Sequence, residues 1–112
     1  MKIAIVEDND ALRDTLELIL RSKNFQVSAF DSAESFLANL GHMCFDVLLT
    51  DFELPGITGL DLVQNIRRRS MNTSCILMSG TSNPDIQLHA INSGCVAFLR
   101  KPFEFGDLFS LL

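Results

Sequence analysis

Short apolar runs recur along the chain, and each is followed by a stretch whose apolar residues have helical spacing. The runs cover residues 3–6, 47–50, 75–78 and 96–99, with a weaker one at 25–29. Runs of this length, bounded by turn residues, are typical of strands buried on both faces of a parallel sheet. The alternation with helices predicts βα units. We therefore expect an α/β fold: a doubly wound, five-stranded parallel sheet in the order 2-1-3-4-5, flavodoxin-like, with helices on both faces.

Capping residues mark the limits of the intervening helices. The predicted helices cover residues 10–22, 32–40, 59–69 and 84–93, and a last one begins near residue 104. Asn9 or Asp10 is suited to cap the first, and Pro84 is suited to the first turn of the fourth. The apolar stripe of the last helix reaches Leu112, where the sequence stops. We expect one domain over residues 1–112, and either a short last helix or the front end of a longer protein.

Composition excludes several classes of function. A chain of 112 residues is the size of a single domain. The net charge of −5 leaves no basic surface for nucleic acid. Three cysteines without a C-x-x-C pair agree with a reducing compartment. With neither a signal peptide nor a long apolar span in the sequence, we expect a soluble cytoplasmic protein without a membrane partner.

Chemically reactive side chains follow four of the predicted strands. They are Glu7 and Asp8 after the first, Asp51 after the third, Ser79 after the fourth and Lys101 after the fifth. Ligands of open parallel sheets bind outside the carboxyl ends of the strands. We therefore expect these carboxylates, the hydroxyl and the ammonium at one edge of the sheet, where they suit a divalent metal and a phosphoryl group.

The three carboxylates point to a Mg²⁺ site. Two like charges about 4 Å apart repel by about 4 kcal/mol at an effective dielectric of about 20. Such a cluster either raises a pKa or holds a cation. Mg²⁺ keeps several waters and takes one or two carboxylates together with a phosphate oxygen. A single Asp at a strand end is more often a loop cap, but the convergence of Glu7, Asp8 and Asp51 favours the metal.

Asp51 is the best candidate for a nucleophile. Carboxylates can form acyl phosphates, and phosphoryl transfer mainly needs positioning and charge neutralisation. Lys101 would act as a point charge on a phosphoryl oxygen. Ser79 is either an ordinary turn cap or a hydroxyl donor to the same group. The bond between Lys101 and Pro102 is a candidate for the cis form, which would fix this loop.

Several motifs extend together over essentially the whole chain. They are Glu7-Asp8, Asp51 with Leu54-Pro55-Gly56 and Gly59, Ser79-Gly80, and the segment from Ala90 through Gly94-Cys95 and Phe98-Leu99 to Lys101-Pro102-Phe103. This set resembles the receiver domain of bacterial two-component response regulators. The resemblance implies Mg²⁺-dependent phosphoryl transfer from a histidine kinase or a histidine phosphotransfer protein to Asp51. The chain would then be no enzyme, but a phosphoacceptor that assists its own phosphorylation and dephosphorylation.

The resemblance also implies roles for particular residues. The Mg²⁺ ligands would be Asp8, Asp51 and the backbone carbonyl of Glu53, with Glu7 acting through water. Ser79 and Lys101 would hold the phosphoryl oxygens, Phe98 would be the switch aromatic, and the bond before Pro102 would be cis. Phosphorylation would control an output domain. The chain looks most like receivers that precede a DNA-binding output domain, so we expect a transcriptional output, and a phosphorylation-dependent homodimer is a further expectation.

A docking surface for the phosphodonor is expected on the first helix. Leu16, Ile19 and Leu20 are enough to fill the stripe that faces the sheet. Leu12 and Thr15 lie outside that stripe, near the edge of the sheet where the reactive side chains are expected. We expect them to join Pro102 in a small apolar docking patch, although Leu12 could equally be a partly exposed helix residue.

Three other functions remain open at this point. Asp8-Asn9-Asp10 is a D-x-D that also resembles haloacid-dehalogenase-type phosphatases, with Asp8 as the nucleophile, but no late acidic pair follows. A flavodoxin-like mononucleotide binder would need a small, neutral phosphate loop where this chain has three acids. A non-phosphorylated interaction domain would be expected to lack Asp51 or Lys101.

Overall fold

The protein folds into a single five-stranded sheet in which every neighbouring pair of strands is parallel. A computed structural model describes residues 1–42, 44–69, 72–81 and 83–112. The strands are β1 (Lys2–Val6), β2 (Gln26–Phe30), β3 (Val47–Asp51), β4 (Ser74–Ser79) and β5 (Ala97–Arg100). Their order, β2-β1-β3-β4-β5, confirms the prediction.

Five α-helices connect and follow the strands in the described ranges. They are α1 (Asp10–Ser22), α2 (Ala33–Asn39), α3 (Gly59–Arg68), α4 (Pro84–Asn92) and α5 (Phe105–Phe109). The predicted start of α1 is confirmed, because the Asn9 side chain accepts the Leu12 N–H at 3.0 Å. The predicted end of the second helix was wrong. Its last turn tightens into a 3₁₀ turn, Leu40–His42, which carries the chain through Gly41 instead of stopping there.

The second strand lies one residue later than predicted. The N–H of Phe25 donates to the carbonyl of Leu20, so Phe25 belongs to the turn that ends α1. Asn24 adopts a φ of 70° in this turn, a conformation that Asn tolerates better than most residues. Pairing with β1 begins only at Gln26, whose N–H donates to the Met1 carbonyl.

The two faces of the sheet bury separate hydrophobic clusters. One face packs against α1 and α5, whose buried residues are Leu16, Leu20 and Leu108. The other packs against α2, α3 and α4, whose buried residues are Ala33, Phe36, Leu62, Val63, Ile66 and Ala90. Because successive strand residues point to opposite faces, β1 contributes Ile3 and Ile5 to the first cluster and Ala4 and Val6 to the second. No helix in the described residues is long and apolar enough to cross a membrane.

The loop between β3 and α3 is held close to the end of β3. A Cβ on Gly59 would overlap the backbone carbonyl of Asp51, so only glycine allows this approach. Gly56 has a φ of 78°, and the Glu34 carboxylate from α2 fills the space where its Cβ would lie. The same carboxylate accepts the N–H of Ile57 at 3.3 Å. These contacts fix the loop that begins at the carboxyl end of β3.

Candidate functional site

Three carboxylates meet at the carboxyl edge of the sheet. Oxygens of Glu7, Asp8 and Asp51 all lie within 4.8 Å of one another. Glu7 and Asp51 are buried, whereas Asp8 is exposed. They come together because β1 and β3 are neighbours in register, with Val6 beside Thr50, and both strands end at this edge. The carboxylates predicted to meet at this edge are therefore adjacent.

Lys101 is the cation of the cluster. Its Nζ lies 2.6 Å from Glu7 Oε1 and 3.2 Å from Asp51 Oδ1. The pair with Glu7 was not predicted from the sequence. Lys101 follows β5, which is separated from β1 by two strands. Only a long side chain can span that distance, and this length is the signal that could have suggested the pair.

One lysine does not balance the charge of three acids. Burial, followed by the negative charge of Glu7, raises the pKa of Asp51 from 3.8 to about 8, despite the opposing effect of Lys101. Burial by itself would raise the pKa of Glu7, but the hydrogen bond and positive charge of Lys101, together with the hydrogen bond from the Asn9 N–H, outweigh it, and the net shift is downward. Burial and the nearby Glu7 raise the pKa of Asp8. The site therefore favours an additional positive charge, either a proton or a cation.

The donor set fits a hard divalent cation. All three residues supply carboxylate oxygens, and Asp8 leaves the site open to water. Mg²⁺ prefers oxygen ligands and retains several waters, which this combination of buried and exposed carboxylates allows. The acidic cluster is thus chemically suited to Mg²⁺.

The Ser79 hydroxyl is buried at the end of β4 and makes two hydrogen bonds. It donates to Glu53 Oε1 at 2.6 Å and accepts the Thr81 N–H at 3.2 Å. The bond to Thr81 is the turn-capping role considered from the sequence. The bond to the Glu53 side chain was not predicted from the sequence. Ser79 is the last residue of β4 and Glu53 follows the end of β3. These neighbouring strands are in register, with Asp51 beside Met78, and this register is the signal that could have found the contact.

Phe98 lies on β5 and is half-buried. It packs against the cluster beneath α2, α3 and α4, which Ile86 of α4 also contacts. In the sheet it pairs with Leu77, two residues before Ser79 on β4. Ser79 and Phe98 therefore lie on neighbouring, paired strands.

An apolar groove adjoins the cluster on the side of α1 and α5. Its volume is about 420 Å³, and its lining residues are Leu12, Lys101, Pro102, Phe103 and Phe105. The structure thus places Leu12 and Pro102 together, as expected. Thr15 is exposed, donates its hydroxyl to the Ala11 carbonyl at 2.8 Å, and is not a lining residue. Two lining residues were not predicted from the sequence: Phe103, which follows Pro102, and Phe105, the first residue of α5. The cis bond expected between Lys101 and Pro102 is present.

The sequence profile of the response regulator receiver domain family matches residues 3–112. The chain belongs to this family. It is therefore a module of two-component signal transduction, and such receiver domains are not enzymes in the ordinary sense. The resemblance noted in the sequence is confirmed.

Two transcriptional regulators show the extent of the similarity. The transcriptional regulatory protein FixJ of Bradyrhizobium diazoefficiens is 31% identical over 110 residues, which are 98% of this chain and 54% of FixJ. The cell cycle transcriptional regulator CtrA of Caulobacter vibrioides is 30% identical over 109 residues, or 96% of this chain and 47% of CtrA. The chain thus spans about half the length of these relatives.

Solved structures agree with the flavodoxin-like fold. The crystal structure of FixJ-N superposes with a TM-score of 0.89 at 30% identity, covering 97% of this chain and 87% of that one. A CheY-like receiver domain protein from Methanospirillum hungatei gives a TM-score of 0.92 at 25% identity, covering 98% and 88%. The predicted fold class is therefore confirmed.

Proposed function

We propose that Asp51 accepts a phosphoryl group from a histidine kinase or a histidine phosphotransfer protein in a Mg²⁺-dependent reaction. The observation that carries this proposal is the surroundings of the Asp51 carboxylate. It is buried, it shares its edge of the sheet with Glu7 and Asp8, and it lies 3.2 Å from the Lys101 ammonium. A carboxylate held between a cation site and a lysine has what an acyl phosphate needs, since both charges can neutralise phosphoryl oxygens.

The chain's own residues would take the following parts in the transfer. An oxygen of Asp51 attacks phosphorus, the bond from phosphorus to the donor's histidine nitrogen breaks, and that nitrogen keeps the electron pair. Lys101 shifts from its carboxylate partners toward a phosphoryl oxygen, as its flexible stem permits. Ser79 donates its hydroxyl to another. Through these contacts the domain assists its own phosphorylation, and hydrolysis of the acyl phosphate by water returns it to the starting state.

Asp8, Asp51 and the backbone carbonyl of Glu53 would hold the Mg²⁺, with Glu7 acting through water. The bound ion would neutralise charge on the phosphoryl group and on the carboxylates. Glu7 is engaged by Lys101 at 2.6 Å, which agrees with a less direct part in metal binding. Asp8 is exposed, so a cation can reach its carboxylate from water. Burial and the nearby Glu7 raise its pKa, and a bound cation would oppose that shift by favouring the ionised form.

The output of the signal would run through Ser79 and Phe98. A phosphoryl oxygen on Asp51 draws the Ser79 hydroxyl toward it, and Phe98 moves into the space that opens beside α4. A hydrogen bond to a charged group is worth about 1.5–3 kcal/mol, which would shift a two-state population by about tenfold to more than a hundredfold if it were wholly differential between the two states. Phosphorylation would thus bias a minor state that already exists.

Three kinds of partner follow from this proposal. The groove lined by Leu12, Pro102 and Phe105 suits docking of the phosphodonor, since it is apolar and adjoins the acceptor. The exposed Leu88 and Val96 on α4 and just before β5 support a phosphorylation-dependent homodimer. FixJ and CtrA are named as transcriptional regulators, which supports an output domain that regulates transcription. A receiver that controls such a domain would act in the cytoplasm.

Intact-mass measurement after incubation with a small-molecule phosphodonor tests the proposal. With Mg²⁺, the wild-type protein should gain the mass of one phosphoryl group, and the gain should disappear in EDTA. Asp51→Asn should show no gain. Asp46→Asn is the matched control, because it removes an exposed carboxylate before β3 that lies away from the cluster. A phosphoryl adduct on Asp51→Asn would refute the assignment. If the adduct persisted in Asp51→Asn but disappeared in Asp8→Asn, the result would favour the haloacid-dehalogenase-like phosphatase with Asp8 as nucleophile.

A further inference from the structure

The Ser79 hydroxyl already donates its only hydrogen in the unphosphorylated protein. A serine hydroxyl has one hydrogen to donate, and here it goes to Glu53 Oε1 at 2.6 Å. The oxygen also accepts the Thr81 N–H at 3.2 Å. Ser79 has no exposed surface, so water does not compete for these bonds. A new acceptor can gain this hydrogen only by displacing Glu53.

The bond between Ser79 and Glu53 is of a strong kind. It is short and joins a hydroxyl to a carboxylate, a combination about twice as strong as a bond between neutral groups. Glu53 is held at this position from its backbone as well, since its N–H lies 3.4 Å from Asp51 Oδ1. The loop after β3 therefore connects Asp51 to Glu53, whose carboxylate accepts the Ser79 hydroxyl.

We infer that Glu53 is a latch on the switch: its carboxylate holds the Ser79 hydroxyl until a phosphoryl oxygen on Asp51 displaces it. The inference rests on the proposed function of Asp51 and adds a positioning residue to it. Glu53 keeps Ser79 from moving toward Asp51 in the unphosphorylated protein. Part of the interaction energy of the phosphoryl group is then used to break this bond, which lowers affinity for the group and suppresses switching in its absence.

Simple charge repulsion is the competing explanation of any effect of Glu53. A carboxylate near the acceptor would repel an anionic group whether or not it binds Ser79. The two explanations differ in how Glu53 and Ser79 depend on each other. Repulsion persists when the hydroxyl is removed, whereas a latch has nothing left to hold. A double-mutant cycle therefore separates them.

The test is the dissociation constant of beryllofluoride at saturating Mg²⁺, followed by NMR. Glu53→Ala should bind about tenfold more tightly than wild type, which corresponds to about 1.4 kcal/mol. In a Ser79→Ala background the same substitution should change affinity by less than about threefold, because no latch remains. Glu53→Gln should fall between wild type and Glu53→Ala, since its amide oxygen still accepts the hydroxyl. Glu104→Ala, an exposed carboxylate after Pro102, should leave the affinity unchanged.

The outcomes separate the latch from the function on which it rests. Equal gains from Glu53→Ala in both backgrounds would show repulsion and overturn the latch. Unchanged affinity in Glu53→Ala would overturn it as well, with the role of Asp51 intact. A wild-type protein that binds no beryllofluoride would overturn the proposed function and the latch with it. Circular dichroism of each variant establishes that the fold is retained, and the milder Glu53→Gln variant gives a second reading.

Discussion

The Asp51→Asn substitution should stabilise the metal-free protein, and the gain should grow with pH. Asp51 is buried beside Glu7, and its pKa is raised from 3.8 to about 8. In the folded protein, therefore, its carboxyl tends to stay protonated at pH values where the unfolded chain has already ionised. A raised folded-state pKa contributes stability at low pH that is lost as pH rises through the folded-state value. Asparagine is neutral throughout and has no such loss.

The magnitude follows from linkage. Between the unfolded and folded pKa values, each pH unit costs the wild-type protein at most about 1.4 kcal/mol of unfolding free energy. We expect the advantage of Asp51→Asn to rise by at least about 2 kcal/mol between about pH 5 and about pH 7.5, and to level off above about pH 8.

Urea unfolding monitored by circular dichroism measures this, because the chain has neither Trp nor Tyr for fluorescence. EDTA must be present, since bound Mg²⁺ favours the ionised carboxylate and should reverse the advantage. Asp31→Asn is the control, because it removes an exposed carboxylate in the loop before α2. An advantage of Asp51→Asn that is constant with pH, or no larger than that of Asp31→Asn, would refute the electrostatic account of the site.

Three further results are expected. Asp8→Asn should weaken Mg²⁺ binding about tenfold, or by about 1.4 kcal/mol, and raise the apo thermal midpoint in calorimetry by relieving repulsion; equal midpoints would contradict the crowding. Gly59→Ala should destabilise the fold by about 1–3 kcal/mol in urea unfolding, because its Cβ overlaps the backbone carbonyl at the end of β3; Gly106→Ala, with open space in α5, should be neutral or slightly stabilising. Ser79→Ala should still bind beryllofluoride within about threefold of wild type, since it loses one hydrogen bond in the free protein and one in the bound protein. Its backbone amide shifts around Phe98 should nevertheless stay unchanged on binding. Shift changes as large as those of wild type would exclude the hydroxyl as the switch.

The sheet order and the convergence of the carboxylates could be predicted because both depend on local patterns. Apolar runs fix which segments are strands, and parallel strands place the residues after them, such as Asp8 and Asp51, at one edge. Helix starts were predictable where a side chain caps them, as Asn9 does for α1. The end of α2 was not, because tightening into a 3₁₀ turn at Gly41 leaves no distinct signal in the sequence.

The contacts within the site were harder to predict. Lys101 pairs with Glu7 across two intervening strands, and Glu53 reaches Ser79 from the neighbouring loop. Both contacts depend on side-chain conformations that strand order alone does not determine. The docking groove was found only in part, since Phe105 comes from a helix whose packing angle the sequence does not reveal.

The most direct test of the central claim is the identity of the modified residue. The protein is incubated with Mg²⁺ and a small-molecule phosphodonor, reduced with borohydride to convert an acyl phosphate into a stable alcohol, and digested for peptide mass spectrometry. The account predicts reduction of Asp51 to homoserine, dependent on Mg²⁺ and absent from every other carboxylate. Reduction at Asp8 instead, or no reduction at Asp51 when the intact mass shows phosphorylation, would contradict it.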